Sequence, residues 1–148
     1  MVDSRHLTGF DVARWVWIGA NPRPINTVAL FRRTCLLDTV SQSAAVLIYA
    51  EWRYRLFING RFVQIGPTPC QPSHRLVDRI DVTPFLRRGE NVVAVAVYTP
   101  GVMTGQWTLT NPALRAVLIV DDTPIIPTDA SWRGVISTAW RHPTQFCG

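Results

Sequence analysis

Apolar and polar positions in this chain alternate in short runs broken by turn residues, and the commonest period is two. Residues 54–58 set bulky apolar side chains against others, so one side can pack while the other meets water. Asn59-Gly60 follows, a dipeptide that tolerates positive φ at both centres of a tight reversal, and 61–65 is the returning strand. Residues 14–18 are a first candidate strand, ended by Asn21-Pro22-Arg23-Pro24. Residues 28–37 and 44–51 are two more. In 75–80, Leu76 and Ile80 face one way and Arg75, Val77 and Arg79 the other, as in a half-buried strand. The unbroken apolar run 92–97 reads as a strand covered on both faces. Residues 99–113, rich in Thr, Gly and Pro, form a long loop, and 115–120 and 123–126 flank Asp121-Asp122 as a hairpin.

Helical signals are confined to one turn, where Thr83 is the expected cap, Pro84 suits the first position and Gly89 the left-handed exit. No segment keeps helical periodicity beyond about two turns, which points to an all-β protein built as an antiparallel sandwich. There is no internal repeat and no low-complexity linker.

Composition narrows this further. At 148 residues the chain is one domain by length, and 47% apolar against 17% charged residues excludes a disordered chain. No apolar run approaches the roughly 20 residues needed to cross a bilayer, so no membrane partner is expected. The start, with Asp3, Arg5 and His6, has no signal-peptide pattern, and a cytoplasmic protein is the expectation. All fifteen basic residues are arginine, giving a net charge of +5. They are scattered through the strands, with Arg32-Arg33 and Arg87-Arg88 the only adjacent pairs, so no phosphate-tracking stripe forms and nucleic acid is not an expected partner. Cys35, Cys70 and Cys147 match no zinc or redox spacing and stand in no evident relation to His6, His74 or His142, so neither a metal nor another cofactor is expected.

Several of these segments also carry a more specific pattern. It comprises Arg53-Tyr54-Arg55-Leu56-Phe57-Ile58-Asn59-Gly60, then Gly66-Pro67, Asp81-Val82-Thr83-Pro84-Phe85-Leu86 and Gly89-Glu90-Asn91-Val92. Phe31-Arg32-Arg33-Thr34 and Thr128-Asp129-Ala130-Ser131-Trp132-Arg133 fit as well. The pattern resembles the β-sandwich accessory domain near the N-terminus of bacterial α-L-rhamnosidases. It is more loosely similar to the jelly-roll sugar-binding domain of β-galactosidase-like enzymes. The resemblance spans about 15–140 and implies a jelly-roll, galactose-binding-domain-like fold. It also implies that 1–148 is a single accessory domain with 1–13 as a disordered or extended lead-in. Beyond it the family continues into further strands and a helical catalytic domain, the implied partner. One sheet edge is then expected to lack its closing strand and to favour self-association.

Glycoside hydrolysis needs two carboxyl groups held across the scissile bond. The two glutamates are Glu51, expected to pair with Arg53 or Arg55, and Glu90, set in a turn. Asp81 is expected to accept backbone hydrogen bonds near Thr83. No catalytic residue is therefore assigned. Sugar binding asks for an aromatic face beside planar polar groups, and Trp52, Arg53 and Trp107 are the candidates. Against them stands the simpler reading that most of the six tryptophans, Trp15, Trp17 and Trp132 among them, are core, and that Arg53 and Arg55 serve as ion-pair partners. Three functions remain open at this stage: a non-catalytic accessory domain of a glycoside hydrolase, a stand-alone carbohydrate-binding module, and a purely structural interaction domain.

Overall fold

Two reversals with paired left-handed residues frame the structure. Asn59 and Gly60 have φ of 52° and 77°, and Asp121 and Asp122 have 46° and 63°, the signature of hairpin turns that match strand twist. The computed structural model describes residues 8–68, 70, 73, 75–103 and 109–139, together with the backbone of 2–3. In chain order the strands are β1 (Val2–Asp3), β2 (Thr27–Leu37), β3 (Ala44–Ala50), β4 (Arg53–Ile58), β5 (Arg61–Gly66), β6 (Leu76–Asp81), β7 (Gly89–Thr99), β8 (Leu114–Val120), β9 (Thr123–Pro127) and β10 (Arg133–Ile136).

They form two antiparallel sheets, ordered β1-β6-β3-β8-β9 and β10-β2-β7-β4-β5. Only the β4–β5 and β8–β9 connections stay within a sheet; every other one passes to the opposite sheet. This is the all-β sandwich expected from the alternation. Between the sheets lies the main core, built from inward positions such as Phe31, Val46, Ile48, Leu56, Ile58, Val95, Val97 and Leu118.

The strand covered on both faces is β3, all seven of whose residues are buried, rather than β7. The reason lies at the start of the chain. Within the expected 1–13 lead-in, residues 8–13 form turns that bury Phe10 and Ala13 against Leu47, Tyr49, Val77, Val117 and Ile119 on the outer face of the β3 sheet. Arg115 fastens them, donating to the carbonyls of Phe10 at 2.9 Å and Ala13 at 3.0 Å. Residues 14–18 are not a strand: only Val16 bridges Leu114, through one hydrogen bond each way. On β7, Asn91, Val93, Val95, Val97 and Thr99 are buried, while Val92, Ala94, Ala96 and Tyr98 on the other side stay partly open.

The 3₁₀ turn Thr83–Phe85 is entered differently from expectation. Thr83 lies inside it, and its hydroxyl exchanges hydrogen bonds with the backbone of Ala44. Asp81 acts as the local acceptor, taking the Thr83 N–H at 2.9 Å.

An outward trough on the β7 sheet

The outward face of the β7 sheet carries a concave surface. Register sets its rows. Val135, Leu30, Ala96, Arg55 and Ile65 lie side by side across the strands, and Arg133, Arg32, Ala94, Phe57 and Phe62 form the next row. Because β7 contributes alanines at the centre of both rows, the middle of the face sinks below Leu30 and Phe57. Two adjoining depressions of about 490 and 520 Å³ result. Leu30, Ile65, Phe62 and Val135 are exposed around them.

The border is cationic. Arg32, Arg53, Arg55 and Arg133 line the depressions, and among the described residues none of them has a carboxylate in ion-pair range. Glu90, the acidic residue of β7, sits at the far end of that strand, opposite Leu36. Tyr98 closes the third row between Val28 and Arg53, with its hydroxyl donating to Asn26 Oδ1 at 2.7 Å.

Of the sequence candidates, Arg53 lies on this trough and Trp52 does not. Trp52 is 1% exposed, and its Nε1 donates to the Thr110 carbonyl at 3.3 Å, so it offers no ring face to a sugar. The period of two explains the split: Trp52, Tyr54, Leu56 and Ile58 share the inward parity, and Arg53, Arg55 and Phe57 the outward one. Extending the β4 alternation back by one position identifies Trp52 as core. Trp107 lies outside the described residues. Among the other tryptophans, Trp132 is buried and Trp17 packs against Phe31, but Trp15, expected in the core, is 43% exposed.

Four of the carboxylates are engaged locally. Glu51 pairs with Arg75, at 2.7 Å from Nη2 and 2.8 Å from Nε, and not with Arg53 or Arg55, whose side chains point to the opposite sheet face. Asp78 accepts from the Tyr54 hydroxyl, and burial pushes its carboxyl above the usual range despite that bond. Asp81 and Asp129 are held below it by the hydrogen bonds of Thr83 and Ser131. The thiol of Cys35 is raised by burial and that of Cys70 lies 3.8 Å from the Tyr49 hydroxyl. Among the described residues no group of three or more His, Cys, Asp or Glu is placed to hold a metal ion.

An antiparallel β-sandwich with an open, arginine-bordered face is the class this geometry defines. No protein-family model matches the chain, and no curated protein does. Solved structures do. A GH78 family rhamnosidase of Bacillus sp. GL1 superposes with a TM-score of 0.80 and 32% identity, over 84% of this chain and 13% of that one. An α-L-rhamnosidase from Aspergillus terreus gives a TM-score of 0.70 and 22% identity, over 85% and 17%. A lectin from Pleurotus ostreatus gives 0.61 and 22%, over 84% and 35%, and this lectin has also been solved in complex with GalNAc. The sandwich thus has GH78 α-L-rhamnosidases as structural neighbours and corresponds to a small part of their length.

Proposed function

We propose that this chain is the non-catalytic N-terminal accessory domain of a glycoside hydrolase resembling α-L-rhamnosidase, and that it buttresses the catalytic domain through the trough on the β7 sheet. The observation that carries this reading is the trough itself. It is an alanine-floored apolar face bordered by four arginines that have no carboxylate partner among the described residues, in a chain that matches 13% of a rhamnosidase at 32% identity. Such a face suits a protein surface with apolar knobs and acidic or carbonyl groups around them, the usual anatomy of a contact between domains.

The test is association of this chain with a separately produced GH78 catalytic domain, followed by calorimetry. Ala96→Trp fills the floor of the trough and Arg55→Glu reverses part of its border; both should abolish a saturable heat while the melting temperature of the free chain holds. Absence of association in the unaltered chain, or association indifferent to both substitutions, would overturn the reading.

A second reading, a carbohydrate-binding module in its own right, is favoured by one observation. Trp15 is exposed beside an Arg–Glu pair on the opposite side of the sandwich.

A further inference from the structure

We propose that Trp15, Arg75 and Glu51 form a binding site for a neutral pyranose. This rests on the carbohydrate reading and is independent of the trough.

Trp15 follows a segment that buries Phe10 and Ala13, yet its own ring is left 43% exposed. The ring is nevertheless held. Tyr49 meets it edge-on, with centroids 5.9 Å apart and planes at 86°, and the Arg75 guanidinium lies 5.6 Å from the Trp15 centroid. Tyr49 is itself 2% exposed in the cluster beneath residues 8–16, so the indole stands on a rigid base. Arg75 is fixed in turn by Glu51, whose Oε1 accepts from both Nε and Nη2. Glu51 is 7% exposed and is tied at its backbone N–H to the Ala113 carbonyl, at the end of the long loop.

The chemistry of this arrangement fits a sugar. An exposed indole accepts the C–H face of a pyranose, and a guanidinium has five N–H donors in one plane, of which Glu51 takes two. The remaining donors are directed by a partner that is itself buried, so a hydroxyl binding there meets a preorganised group. Because Glu51 neutralises Arg75, the site has no net charge to reward an anionic sugar. A neutral pyranose is the ligand class that follows.

The test titrates the whole chain with L-rhamnose, D-galactose and N-acetylgalactosamine, reading indole chemical shifts, with D-galacturonate as the charged comparison. Saturable binding of at least one neutral sugar is expected, with galacturonate no tighter. Trp15→Ala should weaken it by about tenfold, the scale of one lost aromatic stacking partner. Arg75→Lys, which keeps the charge but loses the fork, should weaken it too and guards against a fold defect in the tryptophan variant. Phe57→Ala in the trough should leave sugar affinity unchanged. No saturable binding, binding that survives both Trp15→Ala and Arg75→Lys, or binding lost only in Phe57→Ala would each overturn the site. The first two outcomes leave the docking reading untouched.

Discussion

The Tyr54 hydroxyl donates a hydrogen bond to the Asp78 carboxylate, and this one bond joins the two sheets through the core, β4 to β6. Tyr54 is fully buried and Asp78 nearly so, which makes the pair expensive to break from one side. Tyr54→Phe leaves a buried carboxyl without its donor and should cost about 1–3 kcal/mol in chemical denaturation. A loss below a few tenths of that would mean that solvent replaces the hydroxyl.

The same pair sets a pH dependence. Burial raises the folded pKa of Asp78 above its ordinary value, so the folded state binds this proton more tightly than the unfolded one. Its contribution is therefore fully present below the ordinary carboxylate range and is lost as pH rises through the raised value. Asp81 and Asp129 act in the opposite sense, because their lowered values favour the folded state above the ordinary range and lose that contribution as pH falls. The informative quantity is the difference between variant and parent. Asp78→Asn should become relatively more stable than the parent as pH is raised from about 4 toward neutrality, the direction linkage requires. A constant difference across that interval would show that Asp78 does not titrate abnormally.

Gly66 ends β5 directly over this pair. A Cβ added there would lie 2.5 Å from both Asp78 Oδ2 and the Tyr54 hydroxyl, closer than real carbon atoms come. Both neighbours are held by core packing and by each other, so neither can swing away. Gly66→Ala should therefore cost about 3 kcal/mol, the upper end of the overpacking range, and should lower the thermal midpoint accordingly. Paired with Tyr54→Phe it should cost less than the sum, since the smaller ring relieves part of the clash.

Asn59 shows how far the β4–β5 turn reaches. Its Nδ2 donates to the Phe85 carbonyl and to Asn91 Oδ1, each at 2.9 Å, while its Oδ1 accepts the Val92 N–H. Asn91, wholly buried, closes the set through the backbone of Arg87 and Gly89. Asn59→Gly keeps a backbone suited to positive φ but deletes those three bonds. A loss of about 1–3 kcal/mol would assign the role of Asn59 to the network, because unsatisfied buried groups cost that much. An unchanged midpoint would assign it to the turn alone.

That network marks the boundary of what the sequence discloses. The Asn-Gly dipeptide announced a reversal because its backbone demand is local, and the alternation of 54–58 announced which side chains turn inward because period two is local as well. Arg53 was found on an open face and Trp52 was not, although the same alternation, carried back one position, separates them. What local pattern does not contain is which face a distant segment will cover. Phe10 and Ala13 cover β3, so β3 is buried throughout, while the equally apolar β7 keeps an open side where the trough forms. Glu51 illustrates the same limit. Its nearest arginines in sequence, Arg53 and Arg55, belong to β4 and line the outward trough of the β7 sheet, and its partner Arg75 comes from the entry to β6 in the other sheet, 24 residues away.

Arg115 carries the last prediction, because it decides whether residues 8–16 belong to the fold. Its guanidinium lies 4.5 Å from the Phe10 ring centroid and donates to the carbonyls of Phe10 and Ala13. Three interactions thus converge on a segment about a hundred residues away in sequence. Lysine keeps the charge but cannot reach two carbonyls with a planar fork. Arg115→Lys should cost about 1.5–3 kcal/mol, the range for hydrogen bonds to a charged group. The loss should also be local first: amide exchange at Ala13 and Val16, whose N–H groups bond to Phe10 and Leu114, should accelerate before that of β3. Since Trp15 lies between those two amides, sugar binding at the proposed site should weaken in the same variant. Uniform acceleration across the whole sandwich would instead show that residues 8–16 unfold only with the rest, and that Arg115 stabilises the domain globally.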